Sequence, residues 1–323
     1  MKRCAILFVL FALCHVSAQE VFFLGGPIQS GGDDSSYTVQ YEYDEGLGEN
    51  LFASLSYINE GHFADHHRDG CAAQIWFRSN ILDRRLSLAA GIGPYGYFDT
   101  TRPAGTSDTY TDEHGAGTIA SLAATWYTAG RLMFRLRANG IWADDMDTVS
   151  ILLGVGCQLE SRAARGPVAR ASVQDPRITD NELTFLYGLT IVNSFDSESS
   201  PAVSIEYRRG LLKYLEWTMA WLGEGENEMI DRNGFVSQLW LTRSFLEDSV
   251  ALGFGGGVYY ASDKYSVDDT DVRMEEKGLS GIISFTGVYR LNESLGVRVT
   301  LNRVLTNYDR DTDILLGGVS YHF

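Results

Sequence analysis

A short segment rich in histidine and acidic residues, residues 59–70, holds the side chains best suited to chemistry. It contains three of the six histidines together with three carboxylates: His62, His66, His67, Glu60, Asp65 and Asp69. Neutral imidazoles and carboxylates bind Zn²⁺ and similar ions, and a metal-activated water can attack an ester. The segment therefore predicts a structural or solvated external loop at 60–69. The alternatives are a divalent metal or ligand site in this loop, held by His62, His66 and His67, and catalysis.

This segment belongs to a duplicated unit. Residues 42–99 recur without a gap 164 positions later, with 17 identities in 58 positions. The second copy of the segment, residues 224–234, keeps one Glu, one Arg and two Gly but has no histidine. The histidines are thus additions in one copy, whereas the Glu and the Arg are a shared frame that could form an ion pair. No cofactor besides the possible divalent metal is expected.

A second shared set is polar and aromatic, and it lies on one face of the predicted strands. Its members are Glu42, Gln74, Trp76, Tyr95, Arg135 and Asn139 in the first unit, and Glu206, Gln238, Trp240, Tyr259, Arg298 and Asn302 in the second. Charges inside a barrel must be paired, so these groups could satisfy one another in the interior. They could equally line an aqueous pore. Small residues on the fifth strand of each unit, such as Gly91 and Gly255, leave room for the neighbouring Trp.

Apolar and polar residues alternate along most of the chain, which indicates strands with two unlike faces. The runs of the first unit lie near 20–28, 36–44, 51–60, 70–80, 86–98, 117–128, 131–143 and 148–159, and the second unit offers eight more. Their lengths suit a tilted bilayer crossing, and short and long connections alternate. The fold predicted is therefore an all-β transmembrane antiparallel β-barrel of sixteen strands in two eight-strand repeats. The first interpretation is one closed barrel, because it leaves no free edge. The alternative is two tandem eight-stranded barrels.

The ends and the middle of the chain divide it into four parts. Residues 1–18 have a basic start, an apolar run and small residues before Gln19, which is typical of a signal peptide. Residues 19–159 form the first barrel repeat, 160–181 an arginine-containing linker, and 182–323 the second repeat. The net charge of −16 argues against nucleic acid as a partner.

The last strand ends with Gly318, Tyr321 and the terminal Phe323. This pattern resembles the C-terminal signal by which barrel-assembly machinery recognises outer-membrane barrels. The chain as a whole resembles a tandem duplication of the eight-stranded outer-membrane barrels, the group of OmpA-type and OmpX-type domains and lipid A deacylases. That resemblance implies a place in the bacterial (Gram-negative) outer membrane, with outer-membrane lipid and lipopolysaccharide as partners.

Lipid A deacylases of this shape carry a His-x-Ser pair on the penultimate strand. The corresponding stretches here, residues 135–139 and 298–302, contain neither His nor Ser. We therefore predict a non-enzymatic outer-membrane barrel, acting either as a porin-like passive pore or as a structural, lipopolysaccharide-contacting surface protein. The alternative is a lipid A-modifying acyl hydrolase.

Overall fold

The computed structural model describes residues 19–31, 34–63, 65–102, 110–144, 146–159, 166–167, 181–195, 197–246, 248–266 and 273–323. The predicted signal peptide and most of the predicted linker lie outside these residues. Within the described part of the chain, no helix is long and apolar enough to cross a membrane.

Sixteen strands follow one another in chain order. The first repeat contains β1 (Gln19–Ser30), β2 (Ser35–Gly46), β3 (Leu51–Phe63), β4 (His66–Ile81), β5 (Leu86–Thr101), β6 (Thr111–Tyr127), β7 (Leu132–Ala143) and β8 (Thr148–Gln158). The second contains β9 (Glu182–Val192), β10 (Ser199–Leu212), β11 (Leu215–Glu226), β12 (Asp231–Phe245), β13 (Val250–Ser266), β14 (Arg273–Arg290), β15 (Leu295–Leu305) and β16 (Thr312–His322).

Each repeat closes on itself. The first strand of the first repeat, β1, pairs antiparallel with its last strand, β8, and β9 pairs in the same way with β16. The all-β prediction of sixteen antiparallel strands in two eight-strand repeats is confirmed. The single sixteen-strand closure is corrected to the alternative of two closed barrels, hereafter barrel 1 (β1–β8) and barrel 2 (β9–β16). Eight strands suffice because the interior of such a barrel is just wide enough to be filled by its own side chains, and closure removes every edge.

The barrel walls have an apolar outer face and a polar inner face. Along β9, Leu183, Phe185 and Tyr187 are 48%, 57% and 59% exposed, whereas Thr184 and Leu186 between them are buried, as is Glu182 before them. Successive side chains of a strand point to opposite faces, so one alternating sequence produces both surfaces. The interior therefore receives the charged residues, and the exterior receives the aliphatic and aromatic ones.

The prediction of a loop at 60–69 is wrong. Strand β3 continues to Phe63 and β4 begins at His66, so most of this segment is paired backbone. The hairpin continues past a register irregularity between Asn59 and His62, where Gly61 has a φ of +73°. Glycine reaches that conformation at little cost, and the bulge lets pairing resume as His62 opposite His67.

Glycines of the fifth strand of each barrel make room for a tryptophan. Gly91 lies opposite Trp76, and Gly255 lies opposite Trp240. A Cβ atom added to Gly91 would stand 2.2 Å from Cδ2 of Trp76, and one added to Gly255 would stand 2.5 Å from Cδ2 of Trp240. The rings thus lie directly over these two glycines inside their barrels.

Candidate functional site

The structure places all twelve residues of the shared polar and aromatic set in the barrel interiors. Each is at most 6% exposed: Glu42, Gln74, Trp76, Tyr95, Arg135, Asn139, Glu206, Gln238, Trp240, Tyr259, Arg298 and Asn302. The question for function is whether these groups satisfy one another or leave an open passage.

In barrel 1 one carboxylate accepts from two guanidinium groups. Glu42 on β2 accepts a hydrogen bond from Arg135 Nη1 at 2.5 Å through Oε1, and another from Arg137 Nη1 through Oε2. Both arginines lie on β7. Arg135 also lies 2.8 Å from Oδ2 of Asp44. The guanidinium of Arg137 stands 4.7 Å from the ring centre of Trp76. These contacts pair the buried charges across the lumen, as burial requires.

Amides and hydroxyls complete this layer. Gln74 donates to Oγ of Ser121 at 3.1 Å, and that hydroxyl donates to Oδ1 of Asn139 at 2.8 Å. Asn139 in turn donates to Oε1 of Gln40 at 3.1 Å. The indole of Trp76 donates to a serine hydroxyl on β3 at 2.8 Å. The middle of barrel 1 is therefore a connected hydrogen-bond network.

Barrel 2 has the corresponding network with its charges on other strands. Arg208 on β10 lies 3.0 Å from Glu206 and 2.8 Å from Glu216. Its guanidinium stands 4.4 Å from the ring centre of Trp240. The Arg298 side chain from β15 pairs with Glu182. A chain of hydrogen bonds also runs through the amides, from Gln238 to Ser284 at 2.7 Å and from Ser284 to Asn302 at 2.6 Å.

A second charged cluster lies near the β3–β4 hairpin of barrel 1 and at the equivalent level of barrel 2. Its centre is the Glu and the Arg that the two copies share. In barrel 1, Arg68 lies 2.8 Å from Glu60, which also accepts from the Tyr95 hydroxyl at 2.6 Å and the Thr148 hydroxyl at 2.9 Å. The pairing of the shared Glu with the shared Arg is as the sequence indicates, but it lies inside the barrel wall rather than across a loop.

Barrel 2 repeats this cluster with equivalent residues. Arg232 lies 3.3 Å from Glu224 and 2.9 Å from Asp263. Thr312 donates to Glu224 at 2.6 Å, in the role of Thr148. The four side chains named in each barrel are fully or almost fully buried, so each cluster links neighbouring strands inside the barrel.

The three histidines are divided between the two faces of the hairpin. His66 points inward, with Nδ1 2.9 Å from Oδ2 of the buried Asp99. The rings of His62 and His67 meet edge to face, with centroids 4.1 Å apart. Among the described residues, no group of three or more His, Cys, Asp or Glu side chains is placed to hold a metal ion. The metal site therefore stays a prediction, and two imidazoles rather than three lie together.

A pocket opens in barrel 2 at the end where the chain enters β9 and leaves β16. We call it the mouth pocket; six of its lining residues are Glu182, Arg208, Glu216, Arg290, Arg298 and His322. Of these, only Arg298 was among the residues singled out from the sequence. Of the missed residues, Glu182 corresponds to Glu20 of barrel 1. The others are not repeated between the units, although alternation along the strands places Arg208 and Glu216 on the inner face.

No protein-family model matches the sequence, and no curated protein matches it. Among solved structures, the chain is similar to the N-terminal β-barrel domain of Pseudomonas aeruginosa OprF, with 13% identity, 44% of this chain and 97% of that chain covered, and a TM-score of 0.37. It is also similar to the translocator domain of the autotransporter NalP from Neisseria meningitidis, with 12% identity, coverage of 99% and 94%, and a TM-score of 0.23. A third similar structure is the KdgM porin, with 6% identity, coverage of 94% and 99%, and a TM-score of 0.20.

Proposed function

We propose that the chain is a non-enzymatic integral protein of the bacterial outer membrane, in which each barrel spans the bilayer and has a structural role in contact with lipopolysaccharide. The observation that carries this proposal is the two-faced wall, apolar outside and charged inside. A barrel dissolved in water would instead have a mainly polar exterior, because a large exposed apolar surface is unfavourable in water. Lipid is the solvent that such an exterior fits.

The outer face is apolar over the length of a bilayer crossing. On β8, Val149, Ile151 and Leu153 are 61%, 57% and 67% exposed. On β16, the exposed residues include Val319 and Tyr321. These strands have 11 residues each, and membrane-spanning strands need about nine to eleven. A continuous apolar band of this height supports insertion.

The filled interiors favour a structural role over a passive pore. In each barrel a buried tryptophan and at least one buried arginine lie across the lumen, as Trp76 with Arg137 and Trp240 with Arg208. A water-filled pathway would have to displace these groups, and each of the two arginines is held by several hydrogen bonds. A barrel of eight strands leaves little room beside its own side chains.

The hydrolase alternative receives less support. At the positions compared with the lipid A deacylases, Arg135 and Arg298 are buried and paired with Glu42 and Glu182. Paired guanidinium groups are neither nucleophile nor general base. Mass spectrometry of lipid A from cells with and without the gene tests this point, and loss of an acyl chain that depends on the protein would overturn the non-enzymatic assignment.

Fractionation and electrophysiology test the main proposal. We expect the protein to stay in the outer-membrane fraction after high-salt and carbonate washes, because its outer face is held by lipid. Refolded protein in planar bilayers should give no sustained conductance steps. Release into the soluble fraction would refute membrane insertion, whereas regular channel steps would replace the structural role with a passive pore.

A further inference from the structure

We propose that the mouth pocket of barrel 2 binds a small ligand through a phosphate group. The equivalent end of barrel 1 is closed by large side chains and by the chain itself, whereas barrel 2 has charged side chains at two of the equivalent positions. The inference concerns a site that the structural role does not require.

The strand registers show which residues were exchanged. Phe52 lies opposite Trp76 in barrel 1, and Glu216 lies opposite Trp240 in barrel 2. Tyr127 at the end of β6 corresponds in the same way to Arg290 at the end of β14. In barrel 1, Phe52 and Tyr127 are only 2% exposed and fill the lumen. Barrel 2 has charged residues at both positions, and both line the mouth pocket.

Barrel 1 is also covered at this end by its own chain. Gln158 on β8 donates to the backbone oxygen of Gly166 at 3.3 Å, and Arg84 donates to that of Pro167. The residue of barrel 2 that corresponds to Gln158 is His322, which lines the mouth pocket. Gln158, which donates to a carbonyl oxygen in barrel 1, thus corresponds to His322, which can also donate and which lines the mouth pocket in barrel 2.

Donors in the wall of the mouth pocket point to a ligand rich in oxygen acceptors. Arg298 is 2% exposed, and its Nε has no hydrogen-bond partner. His322 Nε2 also has no hydrogen-bond partner and lies 3.5 Å from an oxygen of Glu182. A buried donor without an acceptor is costly, so Arg298 Nε favours a ligand that supplies one. His322 can donate to the same ligand when its Nε2 carries the proton.

One cation of the pocket, Arg290, has only a distant counter-charge. Arg208 is paired with Glu216, and Arg298 is paired with Glu182. Arg290 also lines the pocket. Arg290 lies 4.0 Å from Asp248, which is 37% exposed, and such a loose pair at the surface contributes little. Phosphate, with several acceptor oxygens and negative charge, matches donors that come from β14, β15 and β16 together.

The test is calorimetric titration of sodium phosphate into the full chain in detergent micelles, with sodium chloride of equal ionic strength as the reference. We expect saturable binding of one phosphate per chain. Arg290→Tyr, which installs the residue of barrel 1, should weaken binding about tenfold or more. Arg209→Gln is the matched control, because Arg209 is an exposed residue of β10 that does not line the pocket, and it should bind as wild type does.

Heat-dependent gel mobility establishes that each variant is folded before titration. The proposal is overturned if wild type shows no saturable heat, or if Arg209→Gln loses as much affinity as Arg290→Tyr, since the latter result would mean a general charge effect. A second arm uses micelles that contain phosphatidylglycerol. Competition by this lipid identifies a headgroup as the source of the phosphate, and unchanged binding identifies a soluble phosphate compound.

Discussion

The guanidinium of Arg208 lies 4.4 Å from the ring centre of Trp240. The same relationship joins Arg137 to Trp76 in barrel 1, at 4.7 Å. The tryptophans are equivalent in the duplication, but the arginines are not: Arg208 comes from the second strand of its barrel and Arg137 from the seventh. The contact between a cation and an indole ring is thus present in both barrels, although different strands provide the cation.

The carboxylate partners of these arginines differ in number, which predicts unequal sensitivity to mutation. Among the described residues, Arg137 has one carboxylate partner, Glu42, whereas Arg208 has Glu206 and Glu216. Glu42→Gln should therefore lower the free energy of unfolding by about 3 to 5 kcal/mol, because it leaves a buried guanidinium without its counter-charge. Glu206→Gln is the control and should cost clearly less.

Urea unfolding of the refolded protein in lipid vesicles, followed by tryptophan fluorescence, measures both variants. Equal losses from the two substitutions would contradict the assignment of Glu42 as the sole counter-charge of Arg137.

The packing of tryptophan on glycine gives a second prediction. Gly91→Ala should destabilise barrel 1 by about 1 to 3 kcal/mol, because the new methyl group would overlap Trp76. The ring cannot easily move aside, because its indole nitrogen donates a hydrogen bond to Ser54 and its face stacks on Phe52, with ring centroids 5.3 Å apart.

A matched control lies on the other face of the equivalent strand. A Cβ atom added to Gly256 meets nothing closer than a backbone oxygen at 3.9 Å. Gly256→Ala should therefore change the free energy of unfolding by less than about 0.5 kcal/mol. A Gly91→Ala protein as stable as Gly256→Ala would show that the tryptophan has space to relax.

Much of the barrel wall follows from sequence alone. Strand alternation and the duplication together select residues such as Glu42, Gln74 and Trp76, all of which are buried. The repeat also selects Glu60 and Arg68, which form an ion pair at 2.8 Å. These features are local or duplicated, so a pattern in one chain reveals them.

Closure and the mouth pocket could not be predicted in this way. Alternation is the same whether β1 pairs with β8 or with β16, because pairing partners are set by long-range contacts. Arg137 was missed because Thr300 stands at its place in barrel 2, and a search for shared residues passes over such differences. The residues that open the mouth pocket, such as Glu216, are likewise departures from the repeat.

Tyr308, in the connection between β15 and β16, gives a prediction for alkaline pH. Burial raises the pKa of Tyr308 above its ordinary value, Arg232 lowers it, and Asp263, which accepts a hydrogen bond from the Tyr308 hydroxyl at 3.0 Å, raises it further; the net shift is upward. The folded chain therefore binds this proton more tightly than the unfolded chain does. The resulting stability is fully present below the unfolded pKa of about 10 and is lost as the pH rises above it.

Tyr308→Phe removes this titration. We expect the variant to lose less stability than wild type between about pH 9 and about pH 11, although it also lacks the hydrogen bond to Asp263. Denaturant unfolding over that range measures the slope. Parallel pH profiles for the two proteins would contradict a protonated Tyr308 in the folded state.

The arrangement of the histidines refines the metal prediction. Because strand alternation puts His66 on the inner face with Asp99, only His62 and His67 can approach one ion together on the outer face of the hairpin. If the segment binds Zn²⁺, the double variant His62→Ala, His67→Ala should abolish the heat of Zn²⁺ titration, whereas His66→Ala should leave it unchanged. Isothermal titration of the three proteins decides the matter. Identical heats from wild type and the double variant would mean that this segment is only a polar extension of the β3–β4 hairpin. Loss of binding in His66→Ala alone would contradict the prediction, because it would require a rearranged hairpin in which the inward ring turns outward.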